Sequence, residues 1–109
     1  MAVQSVKELF ETQMPERLKA KPDLVQKLNT TYKFVVTGAE AGTWLVDLTQ
    51  PGGKISSADE PAKCTITLTS ENLLSIVNGK MNAQMAFMTG KLKIAGDMGL
   101  ALKLGALLG

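Results

Sequence analysis

Among the side chains able to carry acid–base or nucleophilic chemistry in this 109-residue chain are ten carboxylates and one thiol, Cys64, but no histidine. A Ser–His–Asp or Cys–His arrangement therefore has no base, and a structural zinc has neither imidazoles nor paired thiolates to hold it. A lone cysteine also excludes a disulfide framework. Most of the carboxylates fall in helix first turns, loops and exposed faces. Asp47 is the exception, inside a strand beside Trp44 and Val46; its place in the alternation predicts an outward-facing polar residue rather than a general acid. Cys64 alternates with Ile66 and Leu68, the setting of a small buried hydrophobe rather than a nucleophile. Gly96-Asp97-Met98-Gly99 lacks both the dinucleotide spacing and the P-loop lysine and hydroxyl, so a cap and turn is the expected role. No catalytic residue, metal or cofactor is expected.

Charge points to no polyanionic partner. Twelve basic against ten acidic residues leave +2, and aromatics are too few for stacking on bases once Tyr32, Phe34 and Trp44 turn inward, so nucleic acid is not an expected ligand. A mild skew places a net +3 on residues 72–109, from Lys80, Lys91, Lys93 and Lys103 against Asp97. Such a skew is either a solvated face or a patch for transient contact with an anionic membrane surface. The first residues, Met1-Ala2-Val3-Gln4-Ser5-Val6-Lys7-Glu8, do not form a signal peptide, and no stretch is long enough to span a bilayer. With one unpaired thiol, the expectation is a single intracellular domain over residues 1–109, monomeric, alone or within a larger multidomain protein.

Any site must be positioned by a short set of elements. Ser5-Val6-Lys7-Glu8 predicts a capping box, followed by Val6, Leu9, Phe10 and Met14 at helical spacing; Pro15 is expected to end or restart that helix. Pro22–Leu28 predicts a second short helix. From Thr31 the period becomes two, with Tyr32, Phe34 and Val36 on one side, then Trp44, Val46 and Leu48 after the turn at 38–42. A short strand near Lys54 and an antiparallel strand from Cys64 to Thr69 follow, then a helix capped by Thr69 or Ser70, another capped by Asn82, a strand at 91–96, and a helix from Asp97 through Leu108. The class is α+β: about five strands, mostly antiparallel, covered by about five helices.

The last third carries more apolar surface than such a sheet can hide. The terminal helix holds one charge between Met98 and Leu108, with Leu100, Leu104, Leu107 and Leu108 on one face and further apolar residues on the other. A helix at the surface of a small domain needs only one apolar stripe. Upstream, Met81, Met85, Phe87 and Met88 form another cluster; methionine adapts to ligands of variable shape. Either these helices enclose an apolar cavity, or they meet a partner or membrane. The expected cavity lining is Phe34, Trp44, Leu73, Ile76, Val77, Met81, Met85, Phe87, Met88, Leu100, Leu104, Leu107 and Leu108. The alternative is an interaction or dimerisation module that docks through the apolar terminal helix.

Gly42-Thr43-Trp44-Leu45-Val46-Asp47-Leu48 and the run from Gly79 to Leu104, above all Gly90-Lys91-Leu92-Lys93-Ile94 followed by Gly96-Asp97-Met98-Gly99-Leu100-Ala101-Leu102-Lys103-Leu104, resemble the sterol carrier protein 2 domain. Among its relatives, the resemblance is greatest to the carrier domain of hydroxysteroid dehydrogenase-like proteins. It implies a five-stranded sheet with helices around a hydrophobic tunnel, and non-catalytic binding and transfer of sterols, fatty acids and fatty acyl-CoA. The family also includes peroxisomal members, but this chain ends Leu107-Leu108-Gly109 and does not show the Ser-Lys-Leu type of ending.

Overall fold

The Ser5 hydroxyl accepts the Glu8 amide at 3.0 Å, and the Glu8 carboxylate accepts the Gln4 amide at 3.1 Å. The capping box is thus closed one residue earlier than the expected return to Ser5. Glu40, from the far end of the first hairpin, takes the Val6 N–H at 3.0 Å and ties that turn to the helix start. The computed structural model describes residues 4–50, 53–97, 99–100 and 103.

Helix α1 (Val6–Glu8) continues through a π-helical turn, Leu9–Gln13, into α2 (Met14–Ala20). Pro15 does not end the helix. It cannot donate to the preceding turn, and the chain widens immediately before it, with the Met14 N–H bonded to the Leu9 carbonyl. Val6, Leu9, Phe10, Met14 and Leu18 all turn into the core. Helix α3 (Pro22–Leu28) starts on its proline and ends at Asn29, whose φ of 38° is the left-handed geometry of a helix stop.

Five strands follow the expected alternation: β1 (Thr31–Thr37), β2 (Gly42–Asp47), β3 (Lys54–Ser56), β4 (Cys64–Thr69) and β5 (Leu92–Gly96), in the order β3-β2-β1-β4-β5. The sheet is mixed. β1 and β4 lie parallel at its centre, with Tyr32 opposite Cys64 and Phe34 opposite Ile66, while the other three pairings are antiparallel. The register lines up Ile55, Val46, Tyr32 and Cys64 in one row, and Trp44, Phe34, Ile66 and Ile94 in the next. All these point to the face covered by helices. Thr65, Thr67 and Lys93 take the other face, as period two requires.

Helix α4 (Ser70–Val77) is capped by the Thr69 hydroxyl, which accepts the Asn72 amide, and buries Leu73, Ile76 and Val77. Helix α5 (Ala83–Met88) is capped by the Asn82 side chain and buries Ala86. Fully burying a leucine such as Leu73 contributes about 2 kcal/mol of transfer free energy. The expected terminal helix is described only at its start, where the Asp97 carboxylate accepts the Gly99 and Leu100 amides at 2.8 and 3.3 Å. Among the described residues, no helix is long and apolar enough to cross a membrane.

Candidate functional site

The antiparallel register of β1 and β2 sets Phe34 across from Trp44, and the π turn swings Phe10 onto them. Phe10 stacks on Trp44 with ring centroids 5.0 Å apart and planes 12° from parallel, and meets Phe34 at 5.3 Å in a tilted arrangement. Tyr32 extends the row, 6.5 Å from Phe34. Beside this aromatic wall, between the helix and the β2–β3 pair, lies a cleft of about 530 Å³. Its apolar sides are Phe10, Pro15, Leu18, Trp44 and Ile55, and its polar rim is Glu11, Lys19, Ser56 and Ser57. Gly53 also lines the cleft. Its φ is +79°, and a Cβ there would come within 2.7 Å of the Leu18 side chain.

The expected lining residues divide into groups. Phe34, Leu73, Ile76 and Val77 are buried in the core, while Trp44, Met81 and Leu100 pack against it partly exposed. Met85, Phe87 and Met88 face outward, at 58%, 39% and 72% exposure; α5 turns Ala83 and Ala86 to the protein instead. Leu104, Leu107 and Leu108 lie outside the described residues. The structure thus joins Trp44 to Phe10, Leu18 and Ile55, none of which is among the expected lining residues. The wide apolar stripe of Leu9 beside Phe10 was the available signal, but it says nothing of an aromatic 34 residues further along.

The titratable groups near the core serve structure. The Tyr32 hydroxyl donates to the Leu100 carbonyl at 2.8 Å and anchors the start of the C-terminal segment. Burial foremost, then the charges of Cys64 and Asp97, pushes this phenol up to about 12. Burial likewise raises the Cys64 thiol, with Asp97 adding to it, which keeps the sulfur protonated and unreactive. Asp47 accepts both the amide (2.9 Å) and the hydroxyl of Thr49. The hydroxyl bond is the main cause holding its carboxyl below the ordinary range, against the opposing effect of burial. It ends β2 and shapes a turn. Among the described residues no three of Cys, Asp and Glu come together as metal ligands would. The arrangement suits apolar binding.

Tyr32 is the chain's single tyrosine, so a spectrophotometric titration reports on it alone. The folded chain holds this proton more tightly than the unfolded chain does. The linked stability is therefore fully present below a pH of about 10 and is lost as the pH rises toward about 12. Tyrosinate absorbance should appear later in the native protein than in urea. Coincident curves would show that the Tyr32 hydroxyl is not buried in solution.

Residues 8–109 match the model of the SCP-2 sterol transfer family. Sterol carrier protein 2 of Rattus norvegicus is 44% identical over 89 residues, 78% of this chain and 16% of that protein. Hydroxysteroid dehydrogenase-like protein 2 of Xenopus tropicalis is 42% identical over 103 residues, 88% of this chain and 25% of that protein. The chain thus spans a quarter or less of these relatives' length. The solution structure of palmitated SCP2L2 from Aedes aegypti superposes with a TM-score of 0.76 at 25% identity, over 96% of this chain and 95% of that one.

Proposed function

The chain belongs to the SCP-2 sterol transfer family, and on that premise we propose that it takes up single lipid molecules (sterols, fatty acids, fatty acyl-CoA) and transfers them unchanged. The observation that carries this reading is the cleft whose accessible apolar wall is Pro15, Trp44 and Ile55, backed by the buried Phe10 and Leu18. Its volume falls within the range of small-molecule sites, roughly 300–1,000 Å³. Its composition suits an acyl chain: aromatic and aliphatic sides, with two hydroxyls, Ser56 and Ser57, and the opposed charges of Lys19 and Glu11 at the rim for a polar head. Behind it, Phe34 leads to the α4 residues Leu73, Ile76 and Val77, and these, with Leu100, are the proposed inner lining. Each methylene removed from water contributes about 0.8 kcal/mol, so a saturated chain offers binding free energy without any specific contact. That is a carrier's requirement, since release must remain feasible. The reading includes no cofactor, an intracellular setting and a monomeric carrier.

Native mass spectrometry of the protein purified from cells is the direct test. The expected spectrum contains a mass increment matching a copurified fatty acid or sterol, displaced by added palmitate. A spectrum of bare protein that stays bare with palmitate, acyl-CoA and cholesterol would overturn the proposal.

A further inference from the structure

We propose that α5 and the lysines bracketing it form a docking surface for an anionic lipid bilayer, separate from the lipid cleft. Ala83 and Ala86, three residues apart, seat the helix against the protein, and the Lys91 N–H bonds the Ala86 carbonyl at 2.8 Å where the chain turns into β5. That seating leaves Met85 and Met88, also three apart, on the opposite side with Phe87 at the flank. These three are the exposed large hydrophobics among the described residues. One exposed methionine is ordinary surface; three within four residues make a patch.

The surroundings of the patch select its partner. Lys80 precedes the helix and Lys91 and Lys93 follow it, all three exposed, and residues 72–96 contain no aspartate or glutamate. Cations beside pliable apolar side chains complement an anionic bilayer. The thioethers and the phenyl ring enter the headgroup boundary, and the lysine stems reach back to the phosphates. The N-terminal helix offers no competing apolar face, because Val6, Leu9, Phe10, Met14 and Leu18 are each 2% exposed or less. Helix α5 packs on β5, at one edge of the sheet, while the cleft lies against β2 and β3 at the other. Docking and lipid occupancy are therefore separable by mutation.

The test is co-sedimentation with vesicles of phosphatidylcholine alone and of equimolar phosphatidylcholine and phosphatidylserine. The protein should bind the anionic vesicles and release with added salt. Met85→Ser with Met88→Ser, and separately Lys91→Glu with Lys93→Glu, should each weaken that binding by at least about tenfold. All four side chains changed in these variants are exposed, so both variants should melt as the parent does, and the Trp44 response to palmitate should not change. The proposal is overturned if the parent ignores anionic vesicles, or if both variants bind them as the parent does. It is also overturned if light scattering shows the parent self-associating through this patch and the Met→Ser pair becoming monomeric, since the occupant is then a second copy of the chain.

Discussion

Gly96→Ala is expected to destabilise the protein by roughly 3–5 kcal/mol, adding backbone strain to an overlap that cannot relax. Gly96 ends β5 opposite Cys64 at a φ of +105°. A Cβ there would run into the Lys63 carbonyl oxygen, with the Lys63 carbonyl carbon and Cys64 Cα within 3.2 and 3.3 Å. All three are backbone atoms held by the β4–β5 ladder, and that same carbonyl already accepts the Asp97 N–H at 3.0 Å. Moving it would break the bond that turns the chain from β5 into the Asp97 cap. Against a total stability of about 5–15 kcal/mol, this is a large fraction. A control separates the two causes. Gly79 also has positive φ, +77°, but nothing lies within 4 Å of its added Cβ, so Gly79→Ala should cost only about 1 kcal/mol. Urea denaturation reads both. Equal midpoint losses for the two variants would mean that the close approach to Lys63 is absent in solution.

Local signals carried much of this fold. The alternation from Thr31 and from Cys64 marks β1 and β4, and side-chain caps at Ser5, Thr69 and Asn82 mark three helix starts, because each depends on residues within four positions of one another. Strand direction does not. β4 pairs parallel with β1 and antiparallel with β5, and one alternating pattern serves both neighbours equally. Pro15 marks the restart of the helix as α2, but nothing in Leu9–Gln13 signals the π turn that absorbs the missing donor upstream.

The candidate site was less legible for a related reason. In α5 the apolar residues counted toward a buried face are Met85, Phe87 and Met88, yet close packing against β5 selects the small Ala83 and Ala86 for the interior. Hydrophobicity ranks the methionines higher; proximity favours the alanines. The cleft depends on Phe10 meeting Trp44, a contact produced by topology and by the π turn, neither of which leaves a trace in spacing. Trp44 was conspicuous in the sequence as the chain's one tryptophan, set in a strand. Its partners were not.

Ile55→Asp should abolish most palmitate binding while leaving the protein folded. Ile55 belongs to a three-residue strand at the sheet edge, is only partly buried, and faces the cleft with Phe10 and Trp44. In the empty protein the new carboxylate can stay hydrated through the cleft's open side, so the fold loses little more than the packing of one half-exposed side chain. With an acyl chain in place that water is excluded, and an unpaired carboxylate in an apolar setting costs several kcal/mol. At 1.4 kcal/mol per tenfold, the dissociation constant for palmitate should rise by about 100-fold or more. Trp44, the chain's one tryptophan, lines the same cleft, so its fluorescence reports occupancy without a label, and thermal melting without lipid confirms the fold. A folded Ile55→Asp protein that binds palmitate as tightly as the parent would move the lipid out of this cleft. The family assignment would survive that result, and the search for the lining would turn to the inner face of α4.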